Sequence, residues 1–283
     1  MINKYTPADF PQRIVIELTP ICNLNCSMCP RYYIDKRDGF MYENLWKKLI
    51  DEINIENQDS VILPFWRGES CLHPQFIELV QYAIDKGLRV HLSTNGHFMD
   101  ENFRRIFYQC EFVTFSIHSD LGYKNAVFFA NSKPSCSETN IQISFVDTEK
   151  SVKKFMNSVV NDPVLHGFDS VRLYIEHTIG GEFGKSKSAI TPQQRIFCPK
   201  LANTLVVAYD GSFSRCNHVW NTENLFNLEK VNIKNLWNSS RMNEIREGYP
   251  DKICSLCDQW TGHTNGKLWK KQNGIIKLEE FRV

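Results

Sequence analysis

A surplus of charge of either sign is missing from this sequence: 33 lysines and arginines face 32 aspartates and glutamates in 283 residues. A net charge of +1 provides neither an electrostatic footprint for nucleic acid nor a basic arm for a membrane surface. No apolar run approaches the roughly 20 residues of a spanning helix, and MINKYTPADFPQRIVIEL lacks the apolar stretch of a secretory signal. Internal repeats and low-complexity tracts are also missing. The expectation is a cytoplasmic globular protein with no nucleic-acid or membrane partner.

Cysteine, by contrast, is plentiful, at ten residues. A secreted disulfide framework would normally be shorter and carry a leader, whereas thiols kept reduced are free to ligate metal. Seven of the ten fall into two groups with ligand-like spacing. Cys71, Cys110 and Cys136 are scattered and read as small buried hydrophobes.

β-rich runs alternate with helical patterns. Strands are predicted at Arg13–Leu18, Ser60–Phe65 (ending at Pro64), Leu88–Ser93, Phe112–Ile117, Asn140–Val146 and Ser170–Glu176. Helices are predicted near 42–55, 75–86, 101–110 and 151–160. Six such strands argue for parallel βαβ units in an α/β fold. They are too few for a closed eight-fold barrel, so a partial (β/α)6 TIM-like barrel is expected, with chemistry at the C-terminal strand ends. The polar stretch 182–194 is the best boundary, dividing 1–190 from a smaller 191–283 part. In that part Asp210-Gly211 signals a hairpin between Thr204–Ala208 and Ser212–Arg215, and a helix is predicted over 233–246.

Directly after the first strand, ICNLNCSMCP places Cys22, Cys26 and Cys29 in a C-x3-C-x2-C loop. An ordinary 4Fe–4S cluster takes four cysteines, as structural zinc takes four ligands. Three thiolates leave one iron open, and an amino acid can chelate it through its amino and carboxylate groups. Zinc completed by a distant ligand is the competing reading, although zinc motifs usually pair C-x2-C with another such pair or with histidines.

This loop after the first strand of a partial barrel resembles the radical S-adenosylmethionine (SAM) superfamily. The resemblance implies a SAM-binding 4Fe–4S cluster, reductive cleavage of SAM to a 5′-deoxyadenosyl radical, and hydrogen abstraction from an unactivated carbon. A reductant such as a flavodoxin or ferredoxin is implied as partner. Arg67-Gly68-Glu69-Ser70 resembles the family's Gly-Gly-Glu-Pro segment, which implies Gly68 and Glu69 at the SAM amino group; Arg67 and Ser70 depart from the pattern. Ser93-Thr94-Asn95-Gly96 resembles the family's S-T-N-G, implying Ser93 and Asn95 near ribose or carboxylate, although Asn-Gly is also a common turn. Ser116 matches a further SAM position at the fourth strand's end, while His118 departs from the family's acid there and is a candidate to face substrate. A lone histidine is also often a satisfied structural residue. Ser144 is a further SAM candidate. Met28 is implied beside adenine, and core filling is its alternative.

Cys198 is followed by twelve residues, Gly211, four more residues and Cys216; Cys254 and Cys257 form a later C-x2-C. Four thiolates close a site for zinc or an iron–sulfur cluster. After a radical SAM barrel, C-x12-G-x4-C resembles the SPASM/Twitch extension. With no cysteine after Cys257, the shorter Twitch form and a second, auxiliary 4Fe–4S cluster are implied. Gly39-Phe40-Met41, VNIKNLW at 231–237 and the spacing of all seven cysteines are similar to the Twitch-type 2-deoxy-scyllo-inosamine dehydrogenases. Ile179, before Gly180-Gly181, stands where those enzymes carry a basic residue. Glu176, His177 or Arg172 are candidates for polar contacts instead.

The expected function is hydrogen abstraction from a small polar substrate such as a sugar, aminocyclitol or nucleotide sugar, giving oxidation, epimerisation or a related redox change. Peptide modification is the alternative, although only the residues before Arg13 precede the first strand, with no room for a leader-binding domain. A non-catalytic metal-binding protein is a third reading, opposed by the intact thiol triad.

Overall fold

The computed structural model describes residues 7–32, 38–146, 157–158, 161, 167–174, 197–222, 227–257, 266–272 and 275–279. In chain order the elements are β1 (Arg13–Ile16), α1 (Glu43–Glu56), β2 (Val61–Leu63), α2 (Phe76–Asp85), β3 (Arg89–Thr94), α3 (Glu101–Phe107) and β4 (Phe112–Ser116). Next come α4 (Asp120–Asn131), β5 (Asn140–Val146), β6 (Ser170–Tyr174), α5 (Pro199–Asn203), β7 (Thr204–Val207) and β8 (Phe213–Ser214). The chain continues with α6 (Ile233–Trp237), α7 (Ser240–Glu247), α8 (Lys252–Leu256), β9 (Gly266–Gln272) and β10 (Ile275–Glu279). They divide between two compact units.

In the first unit, β1 pairs in parallel with β2 and with β7, and β8 returns antiparallel to β7. The residues Ile14, Val15 and Ile16 are buried on both faces, as an inner strand of a parallel sheet demands. Val15, Val61, Leu63 and Val206 form one apolar cluster, with Phe65 and Trp66 packed on it. Helix α1 buries Leu45, Trp46, Leu49, Ile50 and Ile53, a stripe at helical spacing. The Trp46 indole N–H donates to the Leu79 carbonyl of α2 at 2.7 Å.

In the second unit, β3, β4, β5 and β6 run parallel in sequence order. β9 adds antiparallel to β6, and β10 to β9. On one face Phe115 packs between Phe107 of α3 and Phe129 of α4, with ring centroids at 6.4 and 5.2 Å.

The six predicted strands are present, and their boundaries move by up to two residues. Helix α4 was not foreseen: Leu121 and Phe128 are exposed while Ala126 and Phe129 are buried, so apolar residues on both faces blur its periodicity. The single helix predicted over 233–246 is two, because Ser239 caps a new start by accepting from Met242 N. The C-terminal hairpin was also missed, although Asn273-Gly274 lies between its strands in the sequence. Cys71 and Cys110 are buried as expected, but Cys136 is exposed. The helix predicted over 151–160 lies mostly outside the described residues.

Candidate functional site

The thiol loop leaves β1 through Thr19, whose hydroxyl donates to Gly39 O at 2.7 Å and accepts from Ile21 N at 3.1 Å. That clamp sets the start of the Cys22–Cys29 run. Leu24 N–H points at Cys22 Sγ (3.5 Å). Burial pushes the Cys29 thiol up, and the neighbouring Cys22 adds to this, while the Arg31 backbone N–H opposes it.

The segment after β2 presses on the same clamp. Glu69 N donates to Ile21 O at 2.8 Å. A Cβ on Gly68 would lie 2.3 Å from Thr19 O and 2.4 Å from Ile21 O, so only glycine admits this approach. Glu69 is itself buried, and its carboxylate accepts from Cys71 N at 3.3 Å. Ahead of them, Arg67 is buried against Glu17, with Nε to Oε1 at 2.7 Å and Nη2 to Oε2 at 2.5 Å.

In the second unit, three serines on adjacent strands form a hydroxyl row: Ser93 to Ser116 at 3.4 Å and Ser116 to Ser144 at 3.2 Å. The row lies on the sheet face opposite the aromatic core of Phe115. Ser144 is in register with Arg172, and two residues back Gln142 donates to Ser170 at 3.0 Å. Polar side chains thus line the middle of this face, flanked by Phe112, Val146 and Tyr174 on the same side of their strands. Asn95 makes an Asx turn, its Oδ1 accepting from His97 N at 3.1 Å. His118 follows Ser116 by two residues. Its Nδ1 is buried and has no hydrogen-bond partner among the described residues, and burial depresses its pKa to about 4.

Cys198, Cys216, Cys254 and Cys257 line one pocket with Leu201, Val219, Tyr249 and Ile253. Gly211, the glycine of the C-x12-G-x4-C spacing, has φ +78°, and a Cβ there would lie 2.7 Å from Asn227 Oδ1. Cys216 lies two residues past the return strand β8, and Cys254 sits inside α8. Asp251 caps α8 by accepting from Ile253 N and Cys254 N at 3.1 and 2.9 Å. It also pairs with Arg215, which tethers the Cys216 and Cys254 segments together. Burial pushes the Cys216 thiol up to about 11 and raises Cys254 further. Lys200 lines the pocket too, in contact with His218, and burial lowers its pKa.

Among the described residues no three His, Cys, Asp or Glu side chains converge as ligands of a single ion would. A cluster asks for something else, since each thiolate binds a different iron. Four thiols around one largely apolar pocket fit that demand. A three-thiol loop with a glycine pressed behind it fits a cluster that keeps one iron for a small chelator.

Two parts of the chain match known domain families. The description "Radical SAM superfamily" matches residues 16–121, and "Iron-sulfur cluster-binding domain", the SPASM type, matches 198–258.

The chain carries a radical SAM domain.

Its cofactors are accordingly a 4Fe–4S cluster, SAM and further iron–sulfur ligation by the SPASM region. The radical SAM chain is 30% identical over 83 residues to a tungsten-containing aldehyde ferredoxin oxidoreductase cofactor-modifying protein of Pyrococcus furiosus, covering 29% of this chain and 23% of that one. It is 30% identical over 87 residues to an S-adenosylmethionine-dependent nucleotide dehydratase of Selenomonas ruminantium, 31% of each chain. The matched stretch thus spans less than a third of these curated relatives. Among solved structures it is similar to BtrN in complex with AdoMet and 2-DOIA, at TM-score 0.61 and 16% identity over 87% of this chain and 92% of that one. It is also similar to Streptococcus suis SuiB bound to its precursor peptide SuiA, at TM-score 0.65 and 12% identity over 89% and 72%. These likenesses show the fold, an α/β partial barrel followed by a C-terminal extension.

Glu176 and His177 lie outside the described residues. Reading the sequence of this radical SAM protein missed Glu17, Trp66, Lys200 and His218. Glu17 alone left a signal, as a lone carboxylate in the otherwise apolar run RIVIEL.

Proposed function

We propose that this radical SAM enzyme abstracts a hydrogen atom from a small polyhydroxylated substrate, such as a sugar, aminocyclitol or nucleotide sugar, and completes an oxidation or epimerisation. The observation that carries this reading is the polar inner face of the second unit. Ser93, Ser116, Gln142, Ser144, Ser170 and Arg172 stand where a barrel interior is ordinarily filled by branched apolar side chains. Hydroxyl and guanidinium donors suit a ligand rich in oxygen. A nucleotide is the substrate named for one relative and 2-DOIA the ligand of one structural neighbour.

In this reading Cys22, Cys26 and Cys29 hold the first cluster, and Cys198, Cys216, Cys254 and Cys257 hold the auxiliary one. The loaded site supplies a carbon-centred radical able to take hydrogen from an unactivated carbon. Gly68 opens the space for backbone to approach SAM, and Glu69 meets its ammonium. Ser93, Asn95, Ser116 and Ser144 orient its polar edges, and Met28 flanks the base. His118 is the candidate to accept the proton of a substrate hydroxyl in an oxidation, whose remaining electron the auxiliary cluster would take up. A flavodoxin or ferredoxin supplies the electron.

Anaerobic reconstitution should yield roughly eight irons per chain and SAM-dependent 5′-deoxyadenosine under reduction, falling to about four irons and none in a Cys22/Cys26/Cys29→Ala triple variant. Incubation with polyol, nucleotide-sugar and peptide panels then reads the substrate. Turnover of peptides alone would replace this proposal with peptide modification, and zinc at the triad would end it.

A further inference from the structure

Arg67 immediately precedes Gly68 and Glu69, and its side chain is 2% exposed beside a Glu17 side chain that is fully buried. Burying two charges is costly unless their geometry is good and the remaining hydrogen-bonding groups find partners. Both conditions hold. The fork of two charge-assisted bonds to Glu17 is joined by Arg67 N to Glu17 Oε1 at 3.3 Å. The remaining guanidinium nitrogen, Nη1, donates to Trp220 O at 3.2 Å. Glu17 Oε2 also accepts from Tyr209 N at 3.4 Å. The neighbouring Trp66 ring lies 4.1 Å from the guanidinium carbon, and its Nε1 donates to Asn217 O at 2.9 Å.

Tyr209, Asn217 and Trp220 bracket Cys216. On the other side, Gly68 and Glu69 sit on Thr19 to Ile21, immediately before Cys22. Four consecutive residues, 66 to 69, therefore touch both cysteine-bearing loops. All these contacts lie within the first unit.

We infer that Arg67 is a positioning residue joining the SAM-binding loop to the auxiliary-cluster loop, so that loading of the auxiliary cluster strengthens SAM binding. The inference rests on the cluster assignments proposed above. A cluster held by Cys216 fixes the carbonyls of Asn217 and Trp220, which in turn fix Trp66 and Arg67. Without it, part of the ordering of Gly68 and Glu69 is left to SAM binding, which then weakens. Linkage makes the effect reciprocal: SAM should also raise retention of auxiliary-cluster iron.

The test is a double-mutant cycle on the reconstituted full chain, reading the SAM dissociation constant by titration and the first cluster by its SAM-dependent EPR change. Cys216→Ala and Arg67→Met should each weaken SAM binding about five- to fiftyfold, and the double variant should be no weaker than the worse single one. Trp66→Phe, which removes only the bond to Asn217 O, should behave like a milder Arg67→Met if the latter does not fold. Arg67→Lys should restore part of the affinity. Multiplying effects, or unchanged SAM affinity in Cys216→Ala with the first cluster intact, would overturn the inference. If the unsubstituted chain shows no SAM-dependent EPR change, the proposed function fails instead.

Discussion

Gly68 is the residue whose role is most sharply constrained by space. An added methyl meets two backbone carbonyls at 2.3 and 2.4 Å, and neither can move without displacing the cysteine loop. Gly68→Ala should therefore lose about ten- to hundredfold in SAM affinity, from about 1–3 kcal/mol of overpacking, while iron at the auxiliary site is retained. SAM titration with iron analysis checks this. His118 gives a pH prediction. Its folded pKa of about 4 lies below the unfolded 6.5, so the unfolded chain binds the extra proton first. Stability should then fall as pH drops from 6.5 toward 4, by up to about 3 kcal/mol, and His118→Gln should flatten that slope in urea melts at stepped pH. Both residues were named from the sequence, by motif for Gly68 and by position for His118. The close approach behind one and the buried, unpartnered nitrogen of the other were not legible, because both depend on segments distant in the chain.

At the scale of elements, α1 does more than cover the sheet. Lys48 donates to Leu228 O, Glu229 O and Val231 O at 2.6, 3.2 and 2.7 Å, pinning the turn that leads to α6. Lys48→Met should cost about 1–3 kcal/mol and open residues 227–231 to protease; a thermal melt and limited proteolysis would show it. Cap chemistry also sets α7, where Ser239→Ala should cost about 1 kcal/mol, read as a small drop in melting temperature. Strands were easier to read than helices here. Buried parallel strands such as RIVI announce themselves as apolar runs, whereas α4 exposes Leu121 and Phe128 and so lacks a clean stripe. Helices α5 and α8 are five residues each, too short for any periodicity to register.

For the whole molecule, the C-terminal hairpin matters more than its position in the sequence suggests. β9 pairs with β6 over five positions from Ser170–Lys270 to Tyr174–Gly266, and Leu268 is buried there. Truncation after Asn265 should bare the β6 edge, and an open strand edge invites association. Size exclusion should show aggregates or a loss of soluble protein, and a monomer of undiminished stability would refute this. The sequence by itself determined the thiol groups, their spacing, the parallel strands and the motifs at their ends, because ligand type and hydrophobic period are local properties. Only the tertiary structure decided that β7 joins β1, that the last hairpin returns to β6, and that Arg67 has Glu17 as its counter-ion. Pairing across fifty or more residues depends on which edges and buried charges meet in space, and no local pattern encodes that.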